Sequence, residues 1–339
     1  MGEDLAAQCV DALLELDPVG ATALGDHRHD DRLPDLSESG VVRARHVVGD
    51  ALLALDQVDD TVLDLDAQVD LEILRNRLAG EALALDTLRE HTWNPLLANP
   101  GTALYLLLAR DFAPLPDRLR SLRGRLAQLP ELLADARAQL GQMPRVHVET
   151  AIGQFTGTAT LIAGPVAHAF ESDGALRDSL GEVRELAHDA VLEHVAWLGG
   201  RLEEAHRDPR LGPEAYAAKL WHTLDAETSP DEVLAAAEED LVRTEGELAR
   251  TAAELLGEPT PPPDDAPALV TRALAAVAAD GPVDDTTVLP LCAGALARTT
   301  EFVVSRDLVS VPDDPVEIIE MPEIHRGVAV AYCDPPGPL

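Results

Sequence analysis

Lysine is nearly missing from this 339-residue sequence: Lys219 is the only one, and 26 basic residues face 61 acidic ones, a net charge of −35. Phosphate backbones and anionic lipid surfaces repel such a chain. Without a basic patch there is no counterion-release term, so neither nucleic acid nor a membrane surface is an expected partner. Cysteine is scarce as well. Cys9, Cys292 and Cys333 are odd in number and form no C-x-x-C, so neither a disulfide framework nor a zinc knuckle is indicated. The opening Met1-Gly2-Glu3-Asp4 lacks the basic and apolar regions of a secretory signal. The apolar stretch around Ala103–Ala109 falls far short of the ~20 residues needed to span a bilayer, and the cytoplasm is the expected address. Aromatics make up 3% of the chain. Hydrophobic residues nevertheless reach 46%, too many for a disordered acidic chain, so the class is soluble and globular.

What is present is helical periodicity. Residues 3–16 place Leu5, Val10, Leu13 and Leu14 on one stripe. Asp17-Pro18 reads as an N-cap with proline at the first helical position, and Gly25 closes that short helix. After a loop over Asp26–Pro34, Ser37 caps a helix to about Leu55, and Asp66–Arg89 forms a longer one. Trp93–Pro100 interrupts the pattern before a short helix, Thr102–Arg110. Pro116 and Pro130 open two helices, Pro116–Gln128 and Pro130–Leu140, and Gly164-Pro165 kinks or splits a helix running from His147 to Phe170. A long helix covers 175–205. Ser229-Pro230-Asp231-Glu232 is a capping box at the start of Pro230–Leu256. Helices over 267–279 and 286–306 follow a proline-rich spacer.

Near the end the pattern changes. Val316–Glu320 and Gly327–Tyr332 are short, β-branched and bounded by prolines, the mark of two strands. The expected fold class is all-α with a small β-hairpin-like element at the C-terminal edge. The organisation expected is a helical region at 1–258, a proline-rich spacer at 259–267, and two helices with the start of a β element at 268–339.

Candidate chemistry is sparse. No H-E-x-x-H occurs, and the two E-x-x-H units, Glu185/His188 and Glu203/His206, lie 18 residues apart. On one continuous helix that is ~27 Å, too far for a shared ion, so both read as exposed helix charges. His27, His29 and Asp30 could hold an ion in their loop, but turn chemistry accounts for them without one. No G-x-S-x-G elbow, phosphate-binding loop or dinucleotide fingerprint is present. Trp93, Trp197 and Trp221 read as core residues. The segment Met321–Gly327 is more suggestive. It sets His325 and Arg326 in the connection between the two expected strands, with Tyr332 beyond, where they could line a cleft and meet an anionic or carbonyl group.

The ordered succession of Asp17-Pro18-Val19-Gly20-Ala21-Thr22-Ala23-Leu24-Gly25-Asp26-His27, Leu33-Pro34-Asp35-Leu36-Ser37, Trp93-Asn94-Pro95, Gly212-Pro213-Glu214-Ala215-Tyr216, Ser229-Pro230-Asp231-Glu232 and Ala331-Tyr332 with Pro335-Pro336-Gly337-Pro338 resembles the bacterial domain of unknown function 885 family. The resemblance implies a mostly helical, zinc-metallopeptidase-like protein, longer than this chain, with a His-Glu pair and a nearby Pro-Gly-His downstream of the matched region. It therefore implies an N-terminal portion that carries no metal ligand or cofactor of its own, with zinc and a peptide substrate belonging to the complete protein. An acidic helical binding or scaffold protein is the alternative. A ferritin-like metal carrier is disfavoured by the spacing of the two E-x-x-H units.

Overall fold

Apolar side chains at three- and four-residue intervals form helices along nearly the whole chain. The computed structural model describes residues 2–171, 174–281, 283–313, 315–321, 331 and 333; of 2, 3 and 174–180 it describes the backbone only. The helices are α1 (Gly2–Leu16), α2 (Pro18–Leu24), α3 (Glu38–Asp56), α4 (Leu65–Leu83), α5 (Gly101–Ala109), α6 (Leu115–Gln139) and α7 (Arg145–Leu161). They continue as α8 (Ala167–Glu171), α9 (Gly174–Arg201), α10 (Pro213–Leu224), α11 (Pro230–Leu256), α12 (Ala266–Asp280) and α13 (Val288–Arg306). Among the described residues there is no sheet, only an isolated bridge between Pro144 and His206. The architecture is all-α.

Helix ends follow local chemistry. The Asp17, Ser37 and Asp64 side chains each accept a first-turn N–H, and Gly25 turns left-handed at φ 87° to end α2. At α11 the Ser229 hydroxyl accepts from the Glu232 N–H while the Glu232 carboxylate takes the Ser229 N–H, the reciprocal box read in the sequence.

Two expectations are corrected and one is met. Pro130 does not separate two helices but lies inside the continuous 25-residue α6. It costs one backbone bond, and the helix carries on because Leu119, Leu122, Leu126, Leu129 and Leu133 on both sides of it are fully buried. Gly164-Pro165 does split the helix expected from His147 to Phe170: a π-turn over Ile162–Val166 separates α7 from α8 and widens the ladder around the missing donor. Val316–Glu320 forms no strand: its β-branched residues have no neighbouring strand to pair with among the described residues. The other expected strand lies almost wholly outside the described residues.

The chain divides into two units, one reaching to Glu227 and the other spanning Thr228–Met321. In the first, α5, α6, α7 and α9 close over a leucine-rich core, and Cys9, Val48, Leu55, Leu71 and Leu78 make a second cluster between α1, α3 and α4. α10 lies along α4, where His222 Nδ1 is 2.7 Å from Asn76 Oδ1. In the second unit the proline-rich stretch turns α11 back onto α12. The buried residues packed together there are Ala252, Ala253, Leu269 and Ala273.

Among the described residues one helix, α13, is long and apolar enough to cross a membrane by length and composition alone, with a mean hydropathy of 1.2. Its apolar run Val288–Ala297 is longer than the stretch around Ala103–Ala109, and Arg298 and Glu301 follow it.

Candidate functional site

The Asp17–Pro34 segment is held against α6 by one buried guanidinium. Gly124 on α6 makes room for it: a Cβ there would stand 2.7 Å from the Asp31 carbonyl oxygen. Beside it, Arg125 is fully buried. Its Nη1 donates to the Ala103 carbonyl at 2.5 Å, its Nε to the Arg32 carbonyl at 3.0 Å, and its Nη2 to the Thr22 hydroxyl at 2.6 Å. Thr22 passes the polarity on, donating to Asp30 Oδ1 at 2.7 Å, and Asp30 Oδ2 lies 3.0 Å from His27 Nδ1. The His27 ring stacks on Phe112 with centroids 3.7 Å apart and planes within 9°. Burial pulls Arg125 down to about 10, and the Asp30, Asp31 and Asp17 carboxylates oppose that fall, so the group remains a cation at neutral pH. Gln128 adds a second tie, accepting from the Leu33 N–H and donating to the Asp31 carbonyl.

Chemically this node is a clamp. The Asp30 carboxylate fixes the Nδ1 side of an imidazole whose side chain is 34% exposed, the geometry that orients a proton-accepting Nε2. No hydroxyl or thiol nucleophile hydrogen-bonds that ring among the described residues. A cavity of about 160 Å³ lies alongside, between Asp17, Leu33, Asn99, Thr102 and Leu132. It is smaller than the ~300–1,000 Å³ of small-molecule sites.

A second histidine is caged in the core. His194 on α9 has no exposed surface, and both of its ring nitrogens are without hydrogen-bond partners. Phe155 lies 4.6 Å away at 49° and Trp197 5.5 Å away at 27°. Burial, seconded by the Arg137 charge, lowers its pKa to about 4, so the ring is neutral at physiological pH. Arg137 Nη1 is itself buried without a partner. Near the Trp93-Asn94-Pro95 motif, Arg207 lies 4.7 Å over the Trp93 ring and His147 stacks 5.6 Å from it. The Trp93 indole donates to the Leu88 carbonyl.

The candidates read from the sequence fall as follows. His325, Arg326 and Tyr332 lie outside the described residues. Glu185 and His188 are on α9, where His188 meets Asp189 at 3.6 Å, whereas Glu203 and His206 lie beyond the end of that helix. His27 and Asp30 are brought together, and His29 turns instead toward Arg32. Among the described residues no three His, Cys, Asp or Glu side chains gather as a metal set, so the residues at hand do not fit zinc. Trp93 is buried and Trp197 packs on the core, but Trp221 is 41% exposed, on the surface of α10.

Sequence reasoning missed Arg125 and His194. Both carry a signal in hindsight, since each is a polar residue sitting on an apolar stripe: Arg125 between Leu122 and Leu129, His194 between Ala190 and Leu198.

Comparison with known proteins extends the fold. A solved structure from Shewanella oneidensis, described as a "putative lipoprotein of unknown function", matches with a TM-score of 0.74 at 24% identity, over 95% of this chain and 61% of its own. A "putative lipoprotein" from Colwellia psychrerythraea matches with a TM-score of 0.72 at 15% identity, over 97% of this chain and 64% of its own. At these identities the likeness is one of fold, and the chain spans less than two thirds of either structure. No curated protein matches it. Residues 18–339 match the bacterial proteins of unknown function grouped as DUF885, and the chain belongs to that family.

Proposed function

We propose that this chain is the helical N-terminal portion of a longer, zinc-dependent hydrolase of peptide or related amide bonds, and that by itself it is inactive. The observation that carries the reading is the second unit. Among its described residues it buries only five apolar ones, Ala249, Ala252, Ala253, Leu269 and Ala273, while α12 and α13 leave Val277, Leu291, Phe302 and Val304 largely in water. Helices with such faces are normally held by polypeptide packed upon them. The greater length of the two solved structures supports the same reading, as does the resemblance carried by the ordered motifs. His325, Arg326 and Tyr332 are the positions proposed to line the cleft. The metal ligands would come from outside the described residues, so no step of hydrolysis is assigned to any residue here.

Elemental analysis and a fluorogenic-peptide assay on the purified 339-residue chain test this. Neither stoichiometric zinc nor turnover is expected, and finding both would overturn the reading. An acidic helical binding or scaffold protein is the second reading, favoured by the same exposed helices in a chain of net charge −35. It requires a monomer or defined oligomer with a cooperative melt, whereas the first reading requires a chain that aggregates without its missing part. The cytoplasmic address read from the sequence stands against two fold neighbours described as lipoproteins, and fractionation of the source cells decides between them.

A further inference from the structure

The 27 residues of α11 extend ~40 Å. Every residue from Asp231 to Leu248 is exposed; only at Ala249, Ala252 and Ala253 does the helix bury itself, where it packs with Leu269 and Ala273 of α12. Along the exposed part, leucine recurs at intervals of seven: Leu234, Leu241, Leu248 and Leu255, which are 57%, 57%, 47% and 57% exposed. Half a heptad on, at the alternate seam positions, stand Ala237, Thr244 and Thr251, small enough to accept large side chains from a facing helix. The stripe is thus a row of knobs alternating with holes, and none of the described residues of the second unit fills it.

The borders of the stripe say what would. One edge carries Glu238 and Glu245, and the other Asp240, Glu247 and Glu254. The nearby cations are Arg243, held by Asp240 and Glu247, and Arg250, 3.6 Å from Glu254. They stand on the second edge only, so Glu238 and Glu245 present uncompensated negative charge. A second copy of α11, parallel or antiparallel, would bring acidic edges together, and an anionic bilayer would meet the same repulsion.

From this we infer that the leucine face of α11 is a docking surface for an amphipathic helix of a partner protein, with large aliphatic residues on its inner face and Lys or Arg along both edges. The inference is independent of whether the chain belongs to a hydrolase. Aliphatic knobs entering the Ala237, Thr244 and Thr251 holes supply the apolar burial, and basic edges against Glu238 and Glu245 set orientation and exclude acidic competitors.

Labelled synthetic helices of four heptads, titrated against the full chain by fluorescence anisotropy, test it. A peptide with a Leu/Ile inner face and Lys edges should bind about ten-fold or more tighter than two controls, one with the same inner face and Glu edges, the other with Lys edges and a Ser inner face. The double variant L241S/L248S, which alters only exposed positions, should weaken that binding about ten-fold with an unchanged circular-dichroism spectrum. The double variant E238K/E245K should weaken the Lys-edged peptide and strengthen the Glu-edged one. The inference is overturned by any of four results. These are equal binding of the Leu/Ile and Ser peptides, indifference to L241S/L248S, self-association of the chain that L241S/L248S abolishes, or preferential binding to phosphatidylcholine vesicles.

Discussion

Replacing His194 with leucine should make the first unit more stable, and most so in acid. The ring is wholly buried between Phe155 and Trp197 with both nitrogens unpaired. Burial holds its pKa at about 4, against 6.5 for the free side chain. The folded state therefore binds a proton less readily than the unfolded chain. Stability on this account is full above pH 6.5 and is lost as the pH falls toward 4. The whole displacement corresponds to about 3 kcal/mol, of which about 2 kcal/mol disappears between pH 7 and pH 5. At pH 7 the neutral ring still carries a donor and an acceptor without partners, so a leucine of similar volume should gain a further ~1–2 kcal/mol. Other carboxylates titrate in the same range, so the informative quantity is the difference between parent and variant. Urea unfolding followed by tryptophan fluorescence measures it cleanly, since Trp93, Trp197 and Trp221 all belong to the first unit. The stability gap should widen by about 2 kcal/mol from pH 7 to pH 5. A gap that stays constant, or a variant less stable than the parent at pH 7, would mean that the imidazole has a favourable partner, and the reasoning fails.

Two further outcomes can be checked on the same unit. Arg125→Met should cost about 3–5 kcal/mol in urea midpoint analysis, because the Ala103 and Arg32 carbonyls and the Thr22–Asp30 pair lose their buried donor together; a cost below ~1 kcal/mol would show the clamp to be dispensable. Pro130→Ala should stabilise by about 1–3 kcal/mol, because Pro130 is exposed in mid-helix and alanine restores the donor to the Leu126 carbonyl; an unchanged or lower melting temperature contradicts that.

Where the chain chooses its structure by local chemistry, the sequence is legible. Asp17, Pro18 and Gly25 bound α2, and the Ser229–Glu232 box opens α11, because caps act within one turn. The reading fails where tertiary packing overrides a local preference. Pro130 is a helix breaker by itself, yet five buried leucines around it outweigh one missing hydrogen bond. Val316–Glu320 has the composition of a strand, but a strand exists only through its neighbour. The candidate site was harder. His27, His29 and Asp30 share a loop and stand out together in the sequence, though as turn residues and not as a His27–Asp30 pair, while Arg125 reaches across more than ninety residues to Arg32 and to Thr22. No local pattern reports such a contact, and in a chain with 61 acidic residues a charged side chain looks solvated until the fold removes its water.

The Arg125 clamp also dictates an order of events during synthesis. Thr22, Asp30 and Arg32 leave the ribosome long before residue 125 does, and closing a loop of that size costs ~4 kcal/mol in chain entropy. The nascent Asp17–Pro34 segment can settle only after α5 and α6 have emerged and met. Until then the threonine and aspartate it will bury stay wet.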